Sequence, residues 1–230
     1  SHSVPYALLA YQTAFLKANY PAEYLSACLT AVKRDKDRTA IFLSEAREMN
    51  VKVNTPDINL SLEDFSVNNG EILFGLSAIR NVGDITAQKI IIERDGSKFE
   101  SIQDFLSRIE SRSLNKRGVE ALVQGGAFDK FGFPRKGIFE KIPDLIEDAK
   151  ELKQNKNNSQ GSLFDLNDNV DNETIIENIE WEKKEYLDRE REMLGFFVSE
   201  DPLDGYGEVL RSESTHSITD LLEFGCLLYT

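Results

Sequence analysis

Two stretches in this chain of 230 residues combine residue types and spacing suited to gripping an anion. The first is Leu76-Ser77-Ala78-Ile79-Arg80-Asn81-Val82-Gly83-Asp84-Ile85-Thr86-Ala87. Apolar residues bracket a tight turn, and a helix-forming run follows Gly83. Such a turn exposes backbone N–H groups at the start of the next helix, where unpaired donors and the helix dipole favour negative charge. A phosphate held this way is bound without any base being read. Asn81 occupies a turn position that asks for glycine, and asparagine tolerates left-handed φ. An ordinary connecting turn is the competing reading. The second stretch, Leu122-Val123-Gln124-Gly125-Gly126-Ala127-Phe128-Asp129, repeats the order apolar, glycine, apolar, with Lys116 and Arg117 ahead of it. Paired turns with basic neighbours favour a sequence-independent duplex binder over two plain turns.

A third stretch, Gln160-Gly161-Ser162-Leu163-Phe164, places two large apolar residues in a polar run. Either they anchor a short extended peptide in a partner's apolar pocket, or they fold back onto their own domain. Other chemistries find no support. There is no phosphate-binding G-x-x-x-x-G-K-[ST] loop, no H-E-x-x-H and no nucleophile elbow. Cys28 and Cys226 lie far apart, which excludes a disulfide scaffold or a zinc site and suits a reducing cytosol. The run Asp188-Arg189-Glu190-Arg191-Glu192 reads as a solvated helix face, and Trp181 and Tyr186 as core-facing.

The elements that must position these stretches follow from composition and periodicity. Hydrophobic residues make up 40% and charged residues 29%, a globular composition. No apolar run approaches the roughly 20 residues of a membrane helix. The net charge of −13 argues against a general nucleic-acid binder. However, Arg80 to Lys136 holds eleven Lys or Arg against eight Asp or Glu, a mildly basic module between acidic flanks. Helical spacing is expected over Val4–Ala18, then from Pro21 to Val32, then from an Asp35 or Asp37 cap to a stop at Asn50. A short strand at 51–53 and a hairpin turning at Asn69-Gly70 come next. Further helices are expected over 84–93, after a capping box at Ser101, over 115–124, over 136–153 and over Thr174–Met193. Residues 154–172 read as a flexible linker. The fold expected is mainly α with a small β-hairpin.

Taken in order, these residues resemble the alpha (catalytic) subunit of bacterial replicative DNA polymerase III, a C-family polymerase. The likeness is carried by Tyr11-Gln12-Thr13-Ala14-Phe15-Leu16-Lys17, Pro56-Asp57-Ile58-Asn59, Phe74-Gly75-Leu76-Ser77-Ala78-Ile79-Arg80, Gly126-Ala127-Phe128-Asp129, Gln160–Phe164 and Met193-Leu194-Gly195-Phe196-Phe197-Val198-Ser199. The first two stretches above are similar to helix-hairpin-helix motifs. The resemblance implies the end of a fingers domain over 1–53 and a tandem helix-hairpin-helix domain over 54–153. It further implies a clamp-binding linker over 154–173, a charged helix and connector over 174–213, and a truncated OB-fold start over 214–230. It would set His2 near an incoming dNTP, and Arg80, Asn81, Val82, Gly83, Lys116, Arg117, Gly125 and Gly126 on duplex primer–template. Gln160, Gly161, Ser162, Leu163 and Phe164 would dock on the sliding clamp. Other replisome subunits would be reached through the parent, in the cytoplasm and away from membranes. The parent would use Mg2+ held by palm aspartates upstream of Ser1, so this segment is expected to hold no cofactor and to be inactive alone. A stand-alone hairpin adaptor and a structural helical protein remain as alternatives.

Overall fold

The computed structural model describes residues 3–110, 114–158, 174–203 and 205–214. Two compact units make up the chain, Ser1–Ser199 and Glu200–Thr230. The second contributes one described helix, α9 (Gly207–Glu213). Everything below concerns the first.

Three helices open it: α1 (Ser3–Asn19), α2 (Pro21–Val32) and α3 (Lys36–Glu48). Proline starts α2, where its missing N–H costs nothing. Asp35 caps α3 by accepting from the Arg38 N–H, and Asn50 closes it in the left-handed region at φ 57°. Leu25 and Leu29 of α2 are fully buried, whereas α1 buries none of its residues.

A three-stranded sheet follows, ordered β1 (Val53–Asn54), β3 (Glu71–Leu73), β2 (Ser66–Asn68). The β2–β3 hairpin turns at Asn69 (φ 53°) and Gly70 (φ 80°), the pair of positive angles that Asn-Gly supplies. Strand β1 pairs in parallel with β3. Helices then resume as α4 (Asp84–Gly96), α5 (Ile102–Arg108), α6 (Lys116–Gln124), α7 (Arg135–Asn158) and α8 (Lys183–Leu194). Ser101 and Asn115 cap α5 and α6 through their side chains. Edge-on contacts join Phe99 to Phe105 and Phe105 to Phe128, with ring centroids 5.0 and 5.1 Å apart. This aromatic column ties α5 to the end of α6. The architecture is mainly helical with one small sheet, as the periodicity indicates.

Two boundaries differ from the sequence expectation. Helix α7 continues through Gln154–Asn158, five residues assigned above to a linker. The helix expected over Thr174–Met193 begins only at Lys183. The 174–182 segment instead lies backbone-close along α7, an approach that Gly137 permits: a Cβ there would collide with the carbonyl oxygen of Glu177. Thr174 hydrogen-bonds Asp148, and Trp181 packs edge-on against Phe139 at 5.6 Å.

Candidate nucleic-acid interface

The turn before α4 is built as its sequence suggests. Ile79 and Val82 are buried anchors, and the Val82 N–H donates to the Ile79 carbonyl at 3.1 Å. Asn81 stands at φ 65°, and Gly83 is the N-cap of α4. Arg80, Asn81 and Gly83 are exposed, so the first amides of α4 open beside a cation. A side chain added at Gly83 would meet nothing within 4 Å, and its φ of −82° is ordinary. Glycine is therefore not needed there for folding.

A second helix start lies alongside. The Asn115 carboxamide accepts from the Gly118 N–H at 2.9 Å, and exposed Lys116 and Arg117 are the first two residues of α6. Helices usually place acids at this end, because the dipole is positive there. Helix α6 has none in its first turn. Two cations on a positive helix end are unfavourable by themselves, and Glu120, one turn on, stands 3.7 Å from the Lys116 ammonium. Gly118 lies beside the turn before α4: a Cβ on it would stand 3.4 Å from the Asn81 carbonyl oxygen, an ordinary contact, and would collide with the Leu114 side chain.

Gly125 and Gly126 are placed differently. They close α6 in a Schellman arrangement, with the Gly126 N–H donating to Val123 and the Ala127 N–H to Leu122. Both glycines are buried, and Gly126 takes φ 87°. A Cβ there would collide with the Arg135 guanidinium. Next come a 3-10 turn over Asp129–Phe131 and then α7, so this turn leads into a helix only after Pro134. The exposed cations of the second stretch are at the start of α6.

Arg135 belongs to a buried network that sequence reading misses. Its Nε and Nη2 donate to both Asp129 carboxylate oxygens at 2.8 and 2.7 Å, and its Nη1 to Glu190 Oε2 at 2.9 Å and the Gln124 carbonyl at 2.9 Å. Burial opposes its charge, but Asp129 and Glu190 hold it firmly protonated. Glu190 is 0% exposed, which corrects the expectation of a solvated face. Its other oxygen accepts from the Val198 and Ser199 N–H groups, both at 2.8 Å. Arg80 donates its own N–H to the Met193 carbonyl at 2.9 Å, so the 193–199 segment also braces the hairpin. On the other flank, Lys33 donates to Asp64 at 2.6 Å, Ser77 at 2.8 Å and Asp84 at 3.2 Å. Its ammonium holds the Asp84 carboxyl below the usual carboxylate range. The Pro56–Asn59 stretch is stitching: Asp57 accepts the Asn59 and Leu60 N–H groups, and Asn59 exchanges two hydrogen bonds with the Phe99 backbone. His2 and Gln160–Phe164 lie outside the described residues. Among the described residues, no group of three or more His, Cys, Asp or Glu side chains could hold a metal ion. No described helix is long and apolar enough to cross a membrane.

Helices joined by tight turns and presenting their N-termini side by side define a class, and residues 50–138 match the helix-hairpin-helix motif family. Over nearly its whole length the chain is similar to DNA polymerase III subunit alpha of several bacteria. It is 40% identical to that of Saccharopolyspora erythraea over 96% of this chain and 19% of the relative. It is 36% identical to that of Campylobacter jejuni over 92% of this chain and 18% of the relative. For Thermus aquaticus the figures are 38%, 97% and 18%. The chain thus spans about a fifth of the length of these relatives.

Proposed function

We propose that this chain is a DNA-binding segment of a bacterial replicative polymerase alpha subunit, which holds duplex primer–template by its phosphates. The observation that carries this reading is the pair of helix starts at Gly83 and Lys116, set side by side with Arg80, Lys116 and Arg117 exposed around them. Both present backbone N–H groups and cations, and neither carries a group arranged to read a base edge. Contact is therefore with phosphate, independent of sequence and sensitive to salt. Gly83→Val tests it. The new side chain enters open space, so melting stays unchanged while duplex affinity falls about tenfold, as one phosphate contact is crowded out. Fluorescence anisotropy on a labelled duplex, with melting alongside, is the measurement. Undiminished binding would remove the hairpin from the interface.

In the same reading, Gln160–Phe164 docks on the sliding clamp. The fifteen residues 159–173 leave α7 at its last residue, Asn158, and return where Thr174 bonds Asp148. Both flanking residues, Asn158 and Thr174, thus stand on or against α7. Leu163 and Phe164 supply the apolar anchors and Gln160 the directional hydrogen bonds. Affinity for the clamp is expected to be on the order of micromolar, because ordering a linker opposes binding. In a pull-down, Leu163→Ala with Phe164→Ala abolishes clamp capture and leaves melting unchanged. A fall in melting with capture retained would place the anchors in this chain's own core. Polymerisation itself belongs to the whole subunit. The palm, its Mg2+, the dNTP beside His2 and the other replisome contacts are proposed for the longer protein.

A further inference from the structure

Beyond the hairpin, Arg80 also borders an open cleft of about 730 Å³ between α3 and α8. One wall is α3, with Lys36, Asp37, Ala40, Leu43, Ser44 and Arg47. The other is α8, with Asp188, Arg191 and Glu192, and the floor is Gly195-Phe196-Phe197. The floor is fixed from both sides: Arg47 donates to the Phe197 carbonyl at 2.7 Å, and the Arg191 guanidinium stands 5.2 Å from the Phe197 ring centroid. Phe196 and Phe197 are only half-buried. The cleft thus joins an aromatic floor to four cations, Lys36, Arg47, Arg80 and Arg191. Of the three acids, Glu192 is within 3.4 Å of Arg80, and Asp37 and Asp188 stand on opposite walls.

Cations interleaved with aromatics are the pattern that holds unpaired nucleotides, through phosphate contacts and base stacking together. A volume of this size falls within the roughly 300–1,000 Å³ of small-ligand sites, room for one or two nucleotides and too little for a duplex. Asp37 and Asp188 offer acceptors to base amino groups, a use that a purely phosphate-binding groove would not have. Because Arg80 stands in the turn before α4 and its side chain lines the cleft, a strand leaving the duplex at the hairpin meets the cleft next.

We propose that the α3–α8 cleft binds an unpaired stretch of the same DNA whose duplex lies on the hairpin. Phosphates face Lys36 and Arg191, and a base lies against the Phe196–Phe197 floor. The inference rests on the duplex reading above, and its test separates the two. Anisotropy compares a blunt duplex, the same duplex with a five-nucleotide single-stranded tail of either polarity, and the tail alone. The wild-type protein is expected to bind one tailed duplex about tenfold more tightly than the blunt one. Lys36→Gln with Arg191→Gln removes that advantage and leaves blunt-duplex affinity unchanged, since neither residue belongs to the hairpin. Phe197→Leu, which keeps the apolar volume, reduces the advantage without altering salt dependence. Gly83→Val weakens blunt and tailed duplexes alike. Equal affinity of wild type for blunt and tailed probes overturns the proposal, as does a tail preference that survives Lys36→Gln with Arg191→Gln. A tail preference that persists while Gly83→Val has no effect keeps the cleft and removes the hairpin.

Discussion

Glu190→Ala is expected to lower the stability of the 1–199 unit by about 3–5 kcal/mol, from a lost buried ion pair and two main-chain amides left without an acceptor. Arg135, whose side chain is 4% exposed, keeps Asp129 and the Gln124 carbonyl, but the Val198 and Ser199 N–H groups lose their partner. At a few degrees per kcal/mol for a unit of this size, thermal denaturation should shift down by about 10 °C. Glu190→Gln should recover part of the loss, since a carboxamide oxygen still accepts from the two amides but no longer balances the guanidinium. A melting point within about 2 °C of wild type for the alanine variant would mean that the network contributes little.

Duplex binding should respond most to the start of α6. Lys116→Gln with Arg117→Gln removes two exposed cations from the positive end of a helix. Each phosphate contact contributes about 0.9 to the slope of log affinity against log salt, so the slope should fall by nearly two. Affinity at moderate salt should fall about 30- to 100-fold, uniformly across sequences. Melting should hold, because relief from the helix dipole offsets the lost Lys116–Glu120 pair at 3.7 Å. An unchanged salt slope would place the duplex elsewhere.

Much of this was legible locally. Asn50, Asn69 and Asn81 each take the left-handed backbone their turn positions demand, and Asp35, Ser101 and Asn115 cap the helices they precede. These features depend on a few neighbouring residues, so the sequence carries them openly. The hairpin before α4 is of this kind. What stayed hidden depends on distant partners. Glu190 sits in an alternating acidic and basic run that reads as a wet helix face, and only the fold brings it to Arg135, 55 positions earlier. The 174–182 segment has helix-like composition, but it packs along α7 through contacts no local pattern announces, among them the approach of the Glu177 carbonyl that a glycine at 137 allows. Gly125-Gly126 shows why a short pattern is ambiguous. Glycine after an apolar run serves equally to open a helix start to a ligand or to close a helix end, and here the amides are bonded to α6 itself.

The packing of Gly118 beside the turn before α4 has a consequence for how the interface would measure its ligand. The space a side chain on Gly118 would take is filled by buried Leu114, so the two helix starts are seated against each other by the core. Such a pair works as a fixed gauge, cut before the ligand arrives. The amide donors have no rotamers to freeze on binding, so the entropic cost falls on the lysine and arginine tips alone. A duplex whose phosphates match the gauge is gripped at once, and one that is bent or widened at that point must deform to fit, because the protein side has little freedom to follow. Sequence would then be sensed only through the stiffness of the DNA, at base pairs that no side chain touches.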